Sequence, residues 1–237
     1  MENAIILTFF EDIVYQPKAD FQTLTSLTPN LSMGNLLMIS AIVLVILGLV
    51  AFVFVLIKNR QFAALHDLHE TFAQRHSLKM AYADEHDFKI YGEISHYQML
   101  IQPMLLLDPE QQDHTFGISF TIPMHNPNRK ALRIFRTNSD HIHFKRVAVI
   151  DHALRVNHGI GDWLEIQTND LLFSSIILSN DVKISLYEVF NQFDAAVLYI
   201  QDAEMTFVTP KMLKVEADME IFDRVIALMV EMKDELN

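Results

Sequence analysis

Apolar residues form one long run near the start of the chain and only short, broken runs after it. The run from Leu36 to Ile57 has 22 residues and no charge, and Lys58 and Arg60 follow it directly. A helix of this length covers roughly 33 Å, enough to cross a bilayer core of about 30 Å. A buried helix in a soluble core is the weaker interpretation, because soluble helices rarely stay apolar on every face over so many turns. The pattern predicts a transmembrane helix at 35–57.

The charges beside this run predict its orientation. No charged residue lies between Asp20 and Lys58, so the Lys and Arg nearest the membrane stand on the C-terminal side. We therefore expect residues 1–34 to form an extracytoplasmic tail and the rest to be cytoplasmic, in a single-pass protein of the inner (cytoplasmic) membrane. Glu2 replaces the basic start of a cleaved signal peptide, so we expect the helix to be retained as an anchor.

The predicted outer tail has more apolar surface than a free tail should show to water. Its stretch ENAIILTFFEDIVYQ is typical of an amphipathic helix that lies in the membrane interface or on another membrane protein, and Pro17 ends it. The residues expected to contact a partner here are Ile6, Phe9, Phe10 and Ile13.

Small residues recur on one face of the predicted membrane helix. Gly34, Ala41 and Gly48 are spaced seven apart, and Ala51 follows Gly48 by about one turn. In lipid, apolar burial no longer favours association, and close packing of small residues is a main source of affinity between helices. This stripe predicts contact with another integral membrane subunit, and the alternative is the ordinary Gly and Ala content of membrane helices.

Beyond the span the hydrophobic pattern changes twice. Helical spacing continues through a juxtamembrane helix at 58–78, and residues 79–237 then read as a single cytoplasmic α+β domain. The strand-like runs, which predict a meander-like and mostly antiparallel sheet, are FKIYGEI, YQMLIQPMLLL, TFGISFTIPM, ALRIFR, IHFKRVAVI and FSSIILS.

The last third of the chain predicts a helix, a hairpin and a closing helix. Asn180 or Asp181 is expected to cap a helix that reaches about Phe193, and VLYIQDAEMTFVT reads as a hairpin. A C-terminal amphipathic helix follows. Both the sheet and this helix need one face that is excluded from water. We expect Phe173, Ile176 and Phe207 to be buried beneath Phe222, Val225 and Met229.

The back part of the chain, about residues 170–237, resembles uncharacterised bacterial membrane-anchored proteins of unknown function. The resemblance lies in a Phe-led strand ending in Ser-x-Asp, then a short helix and a hairpin, and its positions here are Phe173, Ser179, Asp181 and Phe207. It implies a fold and no reaction.

Candidate chemistry is confined to histidine. The chain has 11 His and no Cys, which removes disulfides, thiolate ligands and Cys nucleophiles. Two pairs, His66 with His69 and His141 with His143, have spacings that can hold zinc beside a carboxylate, but neither is a recognised motif. The alternative is exposed polar residues on a helix and an edge strand. No catalytic motif is present, and we expect neither an enzyme nor a cofactor.

Charge is unevenly spread along the domain. The segment 129–155 has seven Lys and Arg against two Asp, although the whole chain has a net charge of −12. Such a patch favours binding to an acidic surface or to anionic lipid headgroups, whereas the acidic remainder of the domain argues against binding to nucleic acid. The alternative is a set of solvated side chains on otherwise ordinary strands. The patch consists of Arg129, Lys130, Arg133, Arg136, Lys145, Arg146 and Arg155.

These observations predict a non-catalytic accessory, assembly or regulatory subunit of a larger inner-membrane protein complex. It would contact integral membrane subunits through its transmembrane helix and outer tail, and further partners through the cytoplasmic domain. Two alternatives stay open: a membrane-tethered metal-dependent enzyme that uses the His pairs, and a domain that binds or senses anionic lipid.

Overall fold

A computed structural model describes residues 33–84, 86–107, 114–126, 128–136, 150–157, 159–161, 163–193 and 195–236. Residues 1–32 of the predicted outer tail therefore lie outside the described residues, and so do its four predicted contact residues. The same holds for 141–149, which include His141, His143, Lys145, Arg146 and all but the last residue of the predicted strand IHFKRVAVI.

The order of elements is one long helix, a run of strands with two short helices inserted, and a final helix. They are α1 (Met33–Arg75), β1 (Lys79–Asp84), β2 (Asp87–Ile94), β3 (Tyr97–Leu107), β4 (His114–Pro123), β5 (Leu132–Arg136), β6 (Leu154–Val156), β7 (Leu164–Thr168), α2 (Leu171–Ile177), α3 (Asn180–Phe190), β8 (Val197–Gln201), β9 (Glu204–Thr209) and α4 (Glu216–Asp234). The chain divides at Lys58 into two compact units, and α1 contributes residues to both.

The nine described strands form one sheet in the order β1-β2-β3-β4-β9-β8-β5-β7-β6, and every neighbouring pair is antiparallel. The α+β class and the antiparallel sheet are thus confirmed. The path is not a simple meander, however, because the hairpin β8–β9 comes late in the sequence and lies at the centre. β9 pairs with β4 and β8 pairs with β5, so this hairpin joins the two halves of the sheet.

Alternation along the strands gives the sheet two different faces. On one face Phe120, Ile134 and Phe207 belong to a large buried cluster that also includes side chains of the four helices. Their neighbours point the other way, and Phe135 and Val208 belong to a second, small cluster with Leu106, Ala195 and Val197. The predicted helical cover is present, since Phe222, Val225 and Met229 are all buried.

The run FSSIILS is wrongly predicted as a strand. The structure has α2 there, and the carboxylate of Asp170 caps it by accepting the N–H of Phe173 at 2.9 Å. Phe173 and Ile177 are buried one helical turn apart, whereas Ile176 is 46% exposed, so the prediction that Ile176 is buried is wrong. Phe173 and Phe207 are buried as predicted.

Two further local details differ from the sequence pattern. Ser179, one residue before the predicted cap, accepts the N–H of Val182 at 3.3 Å and starts α3, which ends at Phe190. Strands β1 and β7 were not recognised separately, because each is short and its outward positions are polar or small.

Candidate functional site

The first part of α1 is an apolar helix surface that no described residue covers. Its most apolar window has a mean hydropathy of 3.2 and is 0% buried, so α1 is a candidate membrane span by length and composition. Leu44 is 69% exposed and Phe54 is 67% exposed. A soluble helix would place such side chains in a core.

The small residues of the predicted seam lie on this open part of α1. Ala41, Gly48 and Ala51 are all exposed, and Gly34 belongs to the same helix. A Cβ added at Gly48 would meet no atom within 4 Å. Within the described part of the chain, a Cβ at Gly48 therefore meets no steric obstacle.

The last turns of α1 are part of the domain core. Phe72 is 1% exposed, and its ring packs against that of Phe222 at a centroid distance of 6.3 Å. At the end of the helix, Arg75 and His76 both contact the carboxylate of Asp223 in α4, with N···O distances of 2.8 Å and 2.7 Å. This half-buried cluster fixes the C-terminal end of α1 against α4.

The predicted His66 and His69 pair does not form a two-imidazole metal site. His69 is 1% exposed, its Nε2 lies 3.1 Å from the carbonyl oxygen of Leu213, and its ring packs on Phe88 at 4.3 Å. That contact occupies one ring nitrogen and places the imidazole in the core. Both imidazoles contact the ring of Tyr82, so the i, i+3 spacing reflects packing on β1.

His66 instead has two acidic neighbours on α1. Its Nδ1 lies 3.7 Å from a carboxylate oxygen of Asp67 and 3.9 Å from one of Glu70. The three groups are close enough to share an ion, but the carboxylates are largely exposed. Water can solvate such exposed carboxylates, so the cluster does not require a metal.

The described cations of the predicted basic patch do not form one solvated surface. Arg133 is only 3% exposed, it donates to Gln167 and lies over the ring of Phe135 at 4.2 Å. Burial lowers the pKa of its guanidinium, which nearby Glu165 raises in part. Arg155 pairs with the same Glu165 at 3.0 Å.

Two more cations of the patch are also engaged. Lys130 pairs with Asp170 at 3.4 Å. The hydrogen bond from the Phe173 N–H lowers the pKa of Asp170 most, and the nearby Lys130 ammonium lowers it further. Arg136 donates to the carbonyl of Phe193 and lies over the ring of Trp163. Arg129 is exposed. Most described members of the patch therefore serve local structure, which weakens the prediction of an anionic-lipid surface.

A cleft near the C-terminal end of α4 was not recognised from the sequence. It has a volume of about 200 Å³ and is lined by Met124, His125, Asn126, Phe173, Lys233 and Leu236. Only the three-dimensional fold brings these residues together, because they come from three separate regions of the chain. A lysine in the last turn of a helix is common, so Lys233 gave no signal of its own.

Comparison with known proteins adds little to this picture. No family model matches the chain, and no curated protein matches it. Among solved structures, the chain is similar to the mycobacterial trehalose monomycolate transport factor A, TtfA, with a TM-score of 0.45 and 6% sequence identity. The alignment covers 71% of this chain and 92% of that chain. A likeness at this level carries no argument about what the present protein does.

Proposed function

We propose that the protein is a non-catalytic accessory, assembly or regulatory subunit of a larger inner-membrane protein complex. In this proposal the first part of α1 is a single transmembrane anchor, the N-terminus lies outside and the α+β domain lies in the cytoplasm. The membrane helix and the outer tail contact other integral membrane subunits, and the domain contacts further parts of the complex.

The uncovered apolar surface of α1 is the observation that carries the proposal. Transfer of one fully exposed Leu or Phe side chain out of water stabilises by about 1.5–3 kcal/mol. For the whole exposed run Leu37–Ile57 the cost of contact with water would be on the order of tens of kcal/mol. In this proposal a bilayer and a partner helix cover the surface, and the length of the apolar run supports this because it matches a bilayer core.

The charges beside the helix support the proposed orientation. Lys58 and Arg60 are exposed and follow the apolar run directly, whereas no charge precedes the run within the described part of α1. Lys and Arg next to a span favour the cytoplasmic side.

The stripe of small residues supports a partner within the membrane. Ala41, Gly48 and Ala51 leave a shallow strip between larger side chains, and such strips allow the backbones of two helices to approach closely. The metal-dependent alternative has less support, because His69 is part of the core. The lipid alternative has less support, because most described cations of the patch are engaged locally.

Purification of tagged full-length protein in mild detergent, at native expression, tests the proposal. We expect one or more integral membrane proteins to co-purify with it. Gly48→Leu should weaken their recovery, because overpacking a close helix contact costs about 1–3 kcal/mol. The matched control is Val50→Leu, which also enlarges an exposed residue of the helix but lies on the face opposite Ala41 and Gly48.

Membrane insertion should be equal in the two variants, because both substitutions make the helix more apolar. Partner recovery that falls with Gly48→Leu and stays normal with Val50→Leu supports a helix seam. Equal recovery with both variants would contradict the seam. A protein that purifies alone, without any integral membrane partner, would contradict the subunit role itself.

A further inference from the structure

We propose that the cleft lined by Lys233 binds a small amphipathic carboxylate, with its anionic head on the Lys233 ammonium and a short apolar chain against Phe173. This inference does not depend on the proposed subunit role, because it concerns only the domain and a ligand that the domain holds alone.

Lys233 is the central observation. The residue is 9% exposed and lines the cleft, and its ammonium lies 5.7 Å from the centroid of the Tyr97 ring. No carboxylate of the described residues lies at ion-pair distance from it. Asp234, the next residue, instead accepts the hydroxyl of Tyr97 at 2.5 Å. The structure gives this ammonium a ring contact and no ion pair with a described carboxylate, and an anion in the cleft would supply the partner that a largely buried cation normally has.

The surroundings of Phe173 add a second positive charge. The ammonium of Lys130 lies 5.5 Å from the Phe173 ring centroid, although Asp170 neutralises part of its charge at 3.4 Å. The side chain of Asn126 holds this segment in place, since it donates to the Lys130 carbonyl at 2.7 Å and accepts the Lys130 N–H at 3.0 Å. Asn126, which lines the cleft, is therefore held in a fixed position by two hydrogen bonds to the Lys130 backbone.

The remaining lining residues select for an apolar chain. Met124 is 8% exposed and Phe173 is 6% exposed, and Leu236 is half-buried. His125 is exposed and contributes a polar edge. The cleft thus combines a largely buried cation with three apolar lining residues, and this combination can orient an amphipathic ligand: the charge fixes one end, and apolar contact holds the other.

The size of the cleft limits the ligand. A volume of about 200 Å³ is smaller than the roughly 300–1,000 Å³ of sites for drug-sized ligands and cofactors. At about 30 Å³ for each water-sized group, it holds about six or seven such groups. If the carboxylate is counted as two groups, four or five further carbons bring the total to about six or seven, so hexanoate is a suitable probe and a nucleotide is too large.

The test uses full-length protein in detergent micelles, with empty micelles as the blank, and measures binding by ligand-observed NMR. Three probes separate charge from chain: hexanoate has both, hexanol has only the chain, and inorganic phosphate has only the charge. We expect hexanoate to bind about tenfold or more tightly than either of the others, because a charge-assisted contact in a buried site is strong. Hexanol or phosphate binding as tightly as hexanoate would overturn the proposed ligand class.

Variants then test the role of Lys233. Lys233→Met keeps the apolar stem and removes the charge, and it should lower hexanoate affinity by about tenfold or more. Lys233→Arg keeps the charge and should retain most of the binding. Lys214→Met, at an exposed lysine outside the cleft, should leave affinity unchanged. Wild-type affinity in Lys233→Met would overturn the proposal, and if that variant does not fold, the three-probe comparison on the wild-type protein decides.

Discussion

Phe222 joins three parts of the domain core, and its replacement by Ala is the sharpest test of the fold. The side chain is 1% exposed and extends from α4. Its ring packs against Phe120 of β4 at 5.3 Å, Phe72 of α1 at 6.3 Å and Phe193, beside the central hairpin, at 6.4 Å. Phe222→Ala therefore removes contacts that connect the sheet with two helices.

The expected loss follows from these contacts. Truncation of a buried Phe to Ala costs about 3–5 kcal/mol, from lost transfer free energy and the cavity left behind. Aromatic pairs contribute about 0.5–1.5 kcal/mol beyond area burial, and Phe222 takes part in three. We therefore expect the upper part of the range, about 4–5 kcal/mol. For a domain of this size, each kcal/mol lowers Tm by about 2–4 °C, so the Tm should fall by roughly 8–20 °C.

Chemical denaturation of the full-length protein in detergent, followed by circular dichroism, measures this change. Leu172→Ala is the control, because Leu172 is 68% exposed on α2 and its truncation should change the free energy of unfolding by less than about 0.5 kcal/mol. Phe222→Leu retains much of the volume and should lie between the two. If Phe222→Ala loses less than about 1 kcal/mol, the ring is not packed among the three others, and the position of α4 is wrong.

Two further predictions concern the start of α4 and the topology. Asp218 is 7% exposed, and its carboxylate accepts the N–H groups of Lys214 and Val215, both at 3.0 Å. Asp218→Ala should therefore lower the free energy of unfolding by about 2–4 kcal/mol in denaturation experiments, whereas Asp218→Asn should lower it less. A loss below about 0.5 kcal/mol would contradict this cap. A reporter that works only in the cytoplasm should be active when fused after Asn237 and inactive when fused before Met1, and the reverse pattern would contradict the proposed orientation.

Long periodic segments were predicted well from the sequence, because their pattern depends on one local period. The buried residues of α4 include Phe222, Val225 and Met229, which repeat every three to four residues as a helix requires. The hairpin of β8 and β9 was also predicted, since its two apolar runs are separated by Asp202 and Ala203 and the pairing is local.

Short apolar runs were harder to assign. FSSIILS contains apolar residues at both strand-like and helix-like spacing, and a run of this length does not separate the two periods. Asp170, which precedes the run, decides the outcome because its carboxylate caps α2. The order of strands could not be predicted either, because the position of β8 and β9 between β4 and β5 depends on pairing between distant segments.

Charged surfaces are also hard to predict from the sequence, because they depend on which residues the fold brings together. Counting Lys and Arg in 129–155 predicts a cationic surface. The side chain of Arg133 is buried, however, and Arg155 pairs with Glu165. A formal charge attracts a distant partner only where no local group neutralises it, and neighbours in space are not visible in the sequence. Lys233 is the opposite case. The sequence around this lysine is ordinary, but the fold buries most of its side chain with no carboxylate of the described residues at ion-pair distance. For this protein, the apolar part of α1 is therefore a candidate membrane span that the sequence predicts directly, whereas binding by the domain has to be inferred from side chains that only the fold brings together.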